Sequence, residues 1–78
     1  MDKYCDKIIE IVNDYMTNKN TGIGISVLDR KFYVFFDYDE VRLIEKIEYL
    51  KKKEYLLDER PYQLSEKGKL YLNKHATE

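Results

Sequence analysis

The chain has no tryptophan, a single cysteine, a single proline, a single histidine and only three glycines in 78 residues. A lone thiol forms no internal disulfide, so Cys5 reads as a small buried apolar side chain. Cys5 and His75 fall short of the roughly four ligands that a closed zinc site needs. No nucleophile stands beside His75 in the sequence, so nothing indicates a catalytic triad. Gly22 and Gly24, on either side of Ile23, lack the Walker spacing and its Lys-Ser/Thr ending, which excludes a phosphate loop of that type. No apolar run approaches the ~20 residues of a membrane-spanning helix. The opening MDKYCDKI carries acids and no signal-peptide pattern, so the expectation is a cytoplasmic protein that does not engage membranes. Positive charge is also scarce. Fourteen Lys and Arg face fifteen Asp and Glu, a net charge of −1, whereas duplex-DNA binding depends on neutralising phosphates.

What is present is a folded-protein composition, 44% apolar and 37% charged, in a length that supports one core, so residues 1–78 are read as a single domain. Residues Asp2 to Thr17 predict an amphipathic helix: Cys5, Ile8, Ile9, Val12, Tyr15 and Met16 share a face. Asp2, Asp6, Glu10 and Asp14 line the opposite side at intervals of four. They form either a solvated face or a docking surface for a basic partner. Ile11 flanks the apolar stripe and extends it outward, which makes this helix the expected homodimer surface. Asn18 to Gly22 is a turn, with Asn and Gly supplying unusual backbone angles. Ser26 is expected to cap a second helix from Val27 to about Phe35, with Val27, Leu28, Phe32 and Phe35 inward; a strand over Tyr33 to Phe36 is the alternative.

The most informative stretch runs from Asp37 to Leu64. Asp37 and Glu40 make a candidate capping box, and Leu43, Ile47 and Leu50 recur at helical spacing. Lys51 to Lys53 close that helix at the negative end of its dipole. Tyr55-Leu56-Leu57 and Tyr62-Gln63-Leu64 are strand-like runs around the turn Asp58 to Pro61. Ser65 caps a last helix to about His75, with Leu70, Tyr71 and Leu72 packing; Gly68 within it implies a close contact. Ala76 to Glu78 are expected to fray. Helix capping accounts for the carboxylates Asp37, Asp39 and Glu40, so no metal, cofactor or catalytic residue is expected and the chain is not read as an enzyme.

A helix with apolar residues at four and three, then KKxYL, a turn and L-[ST]-x-x-G resembles the winged helix-turn-helix superfamily over about Gly24 to Leu72. The resemblance implies a mostly helical α+β fold: three to four helices plus a small β-hairpin wing. Its parts are an N-terminal helix at about 2–17, a helix-turn-helix at about 26–53, a wing at about 55–64 and a C-terminal helix at about 65–75. It implies a small transcription regulator or replication-associated binder of double-stranded DNA, with Tyr38, Arg42, Lys46, Lys51, Lys53 and Arg60 as contacts. The alternative is a non-catalytic protein-interaction module, such as an accessory subunit or inhibitor encoded by a phage or mobile element. Its interface would be Val41, Ile44, Glu45, Glu48 and Tyr49.

Overall fold

Four helices build the chain: α1 (Lys3–Lys19), α2 (Ile25–Phe32), α3 (Leu43–Lys52) and α4 (Glu66–Ala76). The computed structural model describes Met1 to Ala76, with side chains as far as Lys74. Thr77 and Glu78, in the stretch expected to fray, lie outside the described residues. Helix α1 forms because its cap and its period agree. The Asp2 carboxylate accepts the Cys5 N–H at 2.8 Å, and Cys5, Ile8, Ile9, Ile11 and Val12 all turn inward. Asn20 ends it in the left-handed region at φ 56°, donating its N–H to the Met16 carbonyl, as a short polar side chain tolerates best.

α1 is the axis of the fold, packing against α2, α3 and α4. Its stripe meets Leu28 and Phe32 of α2, and Leu43, Ile47 and Leu50 of α3, in one core. The expected outward extension by Ile11 does not occur. Ile11 is 8% exposed within the single chain and belongs to the core cluster.

The winged helix-turn-helix is also corrected. Among the described residues there is no sheet: only the isolated antiparallel bridges Ile23 with Tyr62, and Leu56 with Leu64, stand in place of the expected hairpin. Each apolar run in 55–64 is only three residues long, and a short two-stranded hairpin is marginal without further support. Here the side chains decide. Leu56, Tyr62 and Leu64 are buried in the core, so the segment serves as a strap over the helices rather than as a projecting wing. Close backbone approach makes the strap fit. A Cβ on Gly68 would fall on the Tyr55 carbonyl oxygen, and one on Gly22 would lie 2.8 Å from the Tyr62 carbonyl oxygen. Gly22 has no positive φ, so it is needed for proximity; the unusual angle of that turn belongs to Asn20.

Two helix boundaries move. α2 starts at Ile25 with Gly24 as its cap residue, not at Val27 behind Ser26, and stops at Phe32. Tyr33 to Phe36 then make a turn, neither helix nor strand, leaving Val34 and Phe35 at 76% and 56% exposure. α3 starts at Leu43 rather than after Asp37. Half of the expected capping box still forms, since Asp37 N–H donates to Glu40 Oε1 at 3.3 Å, but it closes a turn. Tyr33 supplies the missing cap instead. Its hydroxyl accepts the Leu43 N–H at 2.9 Å and donates to the Val41 carbonyl at 3.0 Å, satisfying an otherwise orphaned first-turn donor. At the other end Glu54 adopts φ 68°, and Tyr55 N–H reaches back to the Leu50 carbonyl at 2.9 Å.

α4 begins as expected, with Ser65 Oγ accepting the Gly68 N–H at 3.1 Å and donating to the Glu54 carbonyl. Tyr71 and Leu72 pack on the core, but Leu70 is 67% exposed. Tyr71 donates to Asp6 Oδ1 at 2.6 Å; burial, then that carboxylate, pushes its hydroxyl's pKa well up. Among the described residues, no helix is long and apolar enough to cross a membrane.

Candidate functional site

Once Leu43, Ile47 and Leu50 are committed to the core, helical geometry decides what α3 shows outside. Ile44, Glu45, Glu48 and Tyr49 sit at steps of one and four, one face of a helix, and all are exposed. Ile44 is 50% and Tyr49 43% exposed, with Tyr38, in the approach to the helix, at 61%. Tyr38 and Ile44 line one shallow depression with Arg42 and Asp29, and Glu45 and Tyr49 line a second with Lys46 and Asp2. Val41, expected in this group, is only 7% exposed. It precedes the helix, which starts at Leu43, so helical spacing does not govern it and its side chain is buried.

The residues expected to contact DNA are brought only partly together, and most already have protein partners. Arg42 Nη1 donates to the Tyr38 carbonyl at 2.7 Å and its guanidinium lies 4.1 Å from the centre of the Tyr38 ring. Lys46 Nζ pairs with Asp2 Oδ2 at 2.8 Å. Asp2 raises the Lys46 ammonium's pKa. Partial burial works to raise the Asp2 carboxyl, but its bonds from Lys46 and the Cys5 N–H outweigh this and hold it below its ordinary value. Lys51 Nζ lies 3.1 Å from Glu48 and 3.4 Å from Asp58, and the Glu48 bond leads the upward shift of its pKa. Lys53 sits 5.9 Å from the Tyr49 ring. Arg60, on the 58–61 turn, is exposed and has no ion pair among the described residues.

Three of the four acids in the series Asp2, Asp6, Glu10 and Asp14 likewise have internal tasks. Asp2 caps the helix and holds Lys46, Asp6 accepts from Tyr71, and Glu10 pairs with Lys7 at 3.2 Å. Of the carboxylates at 37–40, Glu40 accepts the Tyr4 hydroxyl at 2.7 Å; this bond first, then the Asp37 N–H, lowers its pKa. Tyr4, in return, is pushed up by Glu40. Among the described residues no group of three or more His, Cys, Asp or Glu is placed to hold a metal ion. Cys5 is 1% exposed, and burial, then Asp2, pushes its thiol up to about 12, the opposite of an activated nucleophile. The exposed pair Val34 and Phe35 was not legible as surface, because an apolar run continuing α2 assigns Phe35 to the core.

Comparison with protein-family models, with curated proteins and with solved structures gave no match to this chain. The functional reading therefore rests on its own residues.

Proposed function

We propose that the chain is a non-catalytic protein-interaction module that docks through the outer face of α3. The observation that carries this reading is Ile44, half exposed on a helix whose other aliphatic residues, Leu43, Ile47 and Leu50, are all buried. Tyr38 and Tyr49 extend the apolar contact to either side, and aromatic side chains of this kind are enriched in interface cores. Glu45 and Glu48 border the same patch, so the complementary partner presents apolar side chains ringed by basic ones. The duplex-DNA reading has weaker support. Lys46 and Lys51 are neutralised by carboxylates, and Glu45 and Glu48 would face phosphates with like charge.

A photo-crosslinking side chain placed at Ile44 in cells tests the proposal, with one at Lys69 on α4 as control. A discrete protein adduct is expected from position 44 alone, lost when Glu45→Lys and Glu48→Lys are combined with it and the circular dichroism spectrum is unchanged. Absence of an adduct counts against the module. So does sequence-selective binding of short duplexes, read by fluorescence anisotropy, that survives near-physiological salt and is lost in Arg42→Ala.

A further inference from the structure

A second surface, sharing no residue with the α3 face, lies where the C-terminal half of α1 meets the end of α2. A groove of about 300 Å³ runs there, its floor made by Ile11 and Tyr15 and its lip by Val34 and Phe35. Val34 and Phe35 are among the most exposed large apolar side chains of the described residues, at 76% and 56%. Phe35 has neighbours of its own: Lys7 Nζ sits 4.2 Å from the centre of its ring, and its N–H donates to the Phe32 carbonyl at 3.0 Å.

The charge around this groove is distinctive. Lys19 and Lys31 line it, and Arg30 stands beside Lys31 and Val34 in the adjoining depression. Among the described residues these cations make no ion pair, and neither does Asp14, the one unpaired acid of the rim. Glu10 is already engaged by Lys7. Three unpaired positive charges therefore face one unpaired negative charge, on a chain whose net charge is −1. We infer that this groove takes an acidic peptide segment of another protein, whose apolar side chains enter between Tyr15 and Phe35 while its carboxylates meet Lys19, Arg30 and Lys31.

A peptide suits the site better than other anions. The surface is concave, and groove recognition of an amphipathic segment uses apolar anchors with charge at the edges. A nucleic-acid backbone would gain nothing from a floor of Ile11 and Tyr15, since phosphates call for donors and cations.

The test is selection of displayed random short peptides on the intact protein. Enriched sequences should combine several Asp or Glu with spaced apolar residues. Phe35→Ser, and separately Arg30→Glu with Lys31→Glu, should each weaken the selected peptide by about tenfold or more, roughly 1.4 kcal/mol. These positions are exposed, so the circular dichroism spectrum should not change. Ile44→Asp should leave binding intact, which separates this groove from the α3 face. Failure to enrich acidic peptides, or binding indifferent to Phe35→Ser, overturns the inference. Phe35-dependent binding to phosphatidylserine vesicles or to single-stranded DNA in place of peptides also overturns it.

Discussion

The connectors on either side of α3 solve the same problem in opposite ways. Residues 33–42 lead into the helix and residues 53–65 lead out of it, and neither is helix or sheet. The entry is held mainly by side chains. The Tyr33 hydroxyl joins Val41 to Leu43, Phe36 packs edge-on against Tyr4 with ring centres 4.8 Å apart, and Arg42 lies on Tyr38. The exit is held mainly by backbone: Ile23 and Tyr62 exchange N–H to carbonyl bonds at 2.9 and 2.8 Å, and Leu57 N–H reaches the Gln63 carbonyl at 3.0 Å. The consequences follow from the anchoring. Backbone pairing with distant residues accompanies the burial of Leu56, Tyr62 and Leu64, whereas the entry, whose backbone bonds close only local turns, leaves Val34, Phe35 and Tyr38 outside. The exit strap is structural, and the entry carries exposed apolar side chains.

Ile47 lies in the helix that both connectors serve and is fully buried. Ile47→Ala should therefore give the largest effect, a loss of about 2–5 kcal/mol in denaturant unfolding. A loss below about 1 kcal/mol would mean that the helix register, and both connectors with it, is misplaced. Gly68→Ala tests the exit. The added methyl meets the Tyr55 carbonyl, and overpacking of this kind costs about 1–3 kcal/mol. A neutral or stabilised variant, as helix propensity alone would give, would mean that the strap does not lie tightly on α4. Tyr33→Phe tests the entry. Removing the hydroxyl leaves the Leu43 donor and Val41 acceptor without their partner, a loss of about 1–2 kcal/mol. Amide exchange should quicken at Leu43 while that of Tyr62 and Leu57 is unchanged. Acceleration at all three would show that the connectors open as one unit.

The smallest effect on stability is expected at Tyr62. Its hydroxyl is buried with no hydrogen-bond partner among the described residues, so Tyr62→Phe removes an uncompensated polar group at no loss of packing. The variant should be neutral or more stable by up to about 1–2 kcal/mol. A clear destabilisation would mean that the hydroxyl has a solvent partner in solution. Cys5 gives an independent measure of core integrity. Its thiol, raised to about 12, holds its proton more tightly folded than unfolded, so at pH 8 it should react with a thiol reagent only at the rate of unfolding. By the same linkage its contribution to stability is complete below the ordinary value of 9.0 and declines as pH rises toward the folded value.

The parts legible in the sequence were those whose signal is local and repeated. The α1 stripe, the triad Leu43, Ile47 and Leu50, the Ser65 cap and the close contact at Gly68 each follow from period, capping chemistry or the cost of a helical glycine. The outward residues Ile44, Glu45, Glu48 and Tyr49 were legible by the same register. Capping chemistry misled at Asp37 and Glu40, where the same bond closes a turn. An apolar run misled at Phe35, because composition does not reveal that α2 ends at Phe32. The alternation around 55–64 misled in another way, since short apolar runs suit a hairpin and a buried strap equally well.

By itself the sequence determined which faces of α1 and α3 must be buried and where α1 and α4 begin, because helical period and capping are properties of neighbouring residues. Tertiary structure alone decided that Tyr33 caps α3 from ten residues away, that the 55–64 segment closes over the core without forming a sheet, and that Lys46 and Lys51 are neutralised. Those outcomes depend on contacts between residues distant along the chain, such as Asp2 with Lys46 at 2.8 Å, and no local pattern encodes which distant groups will meet.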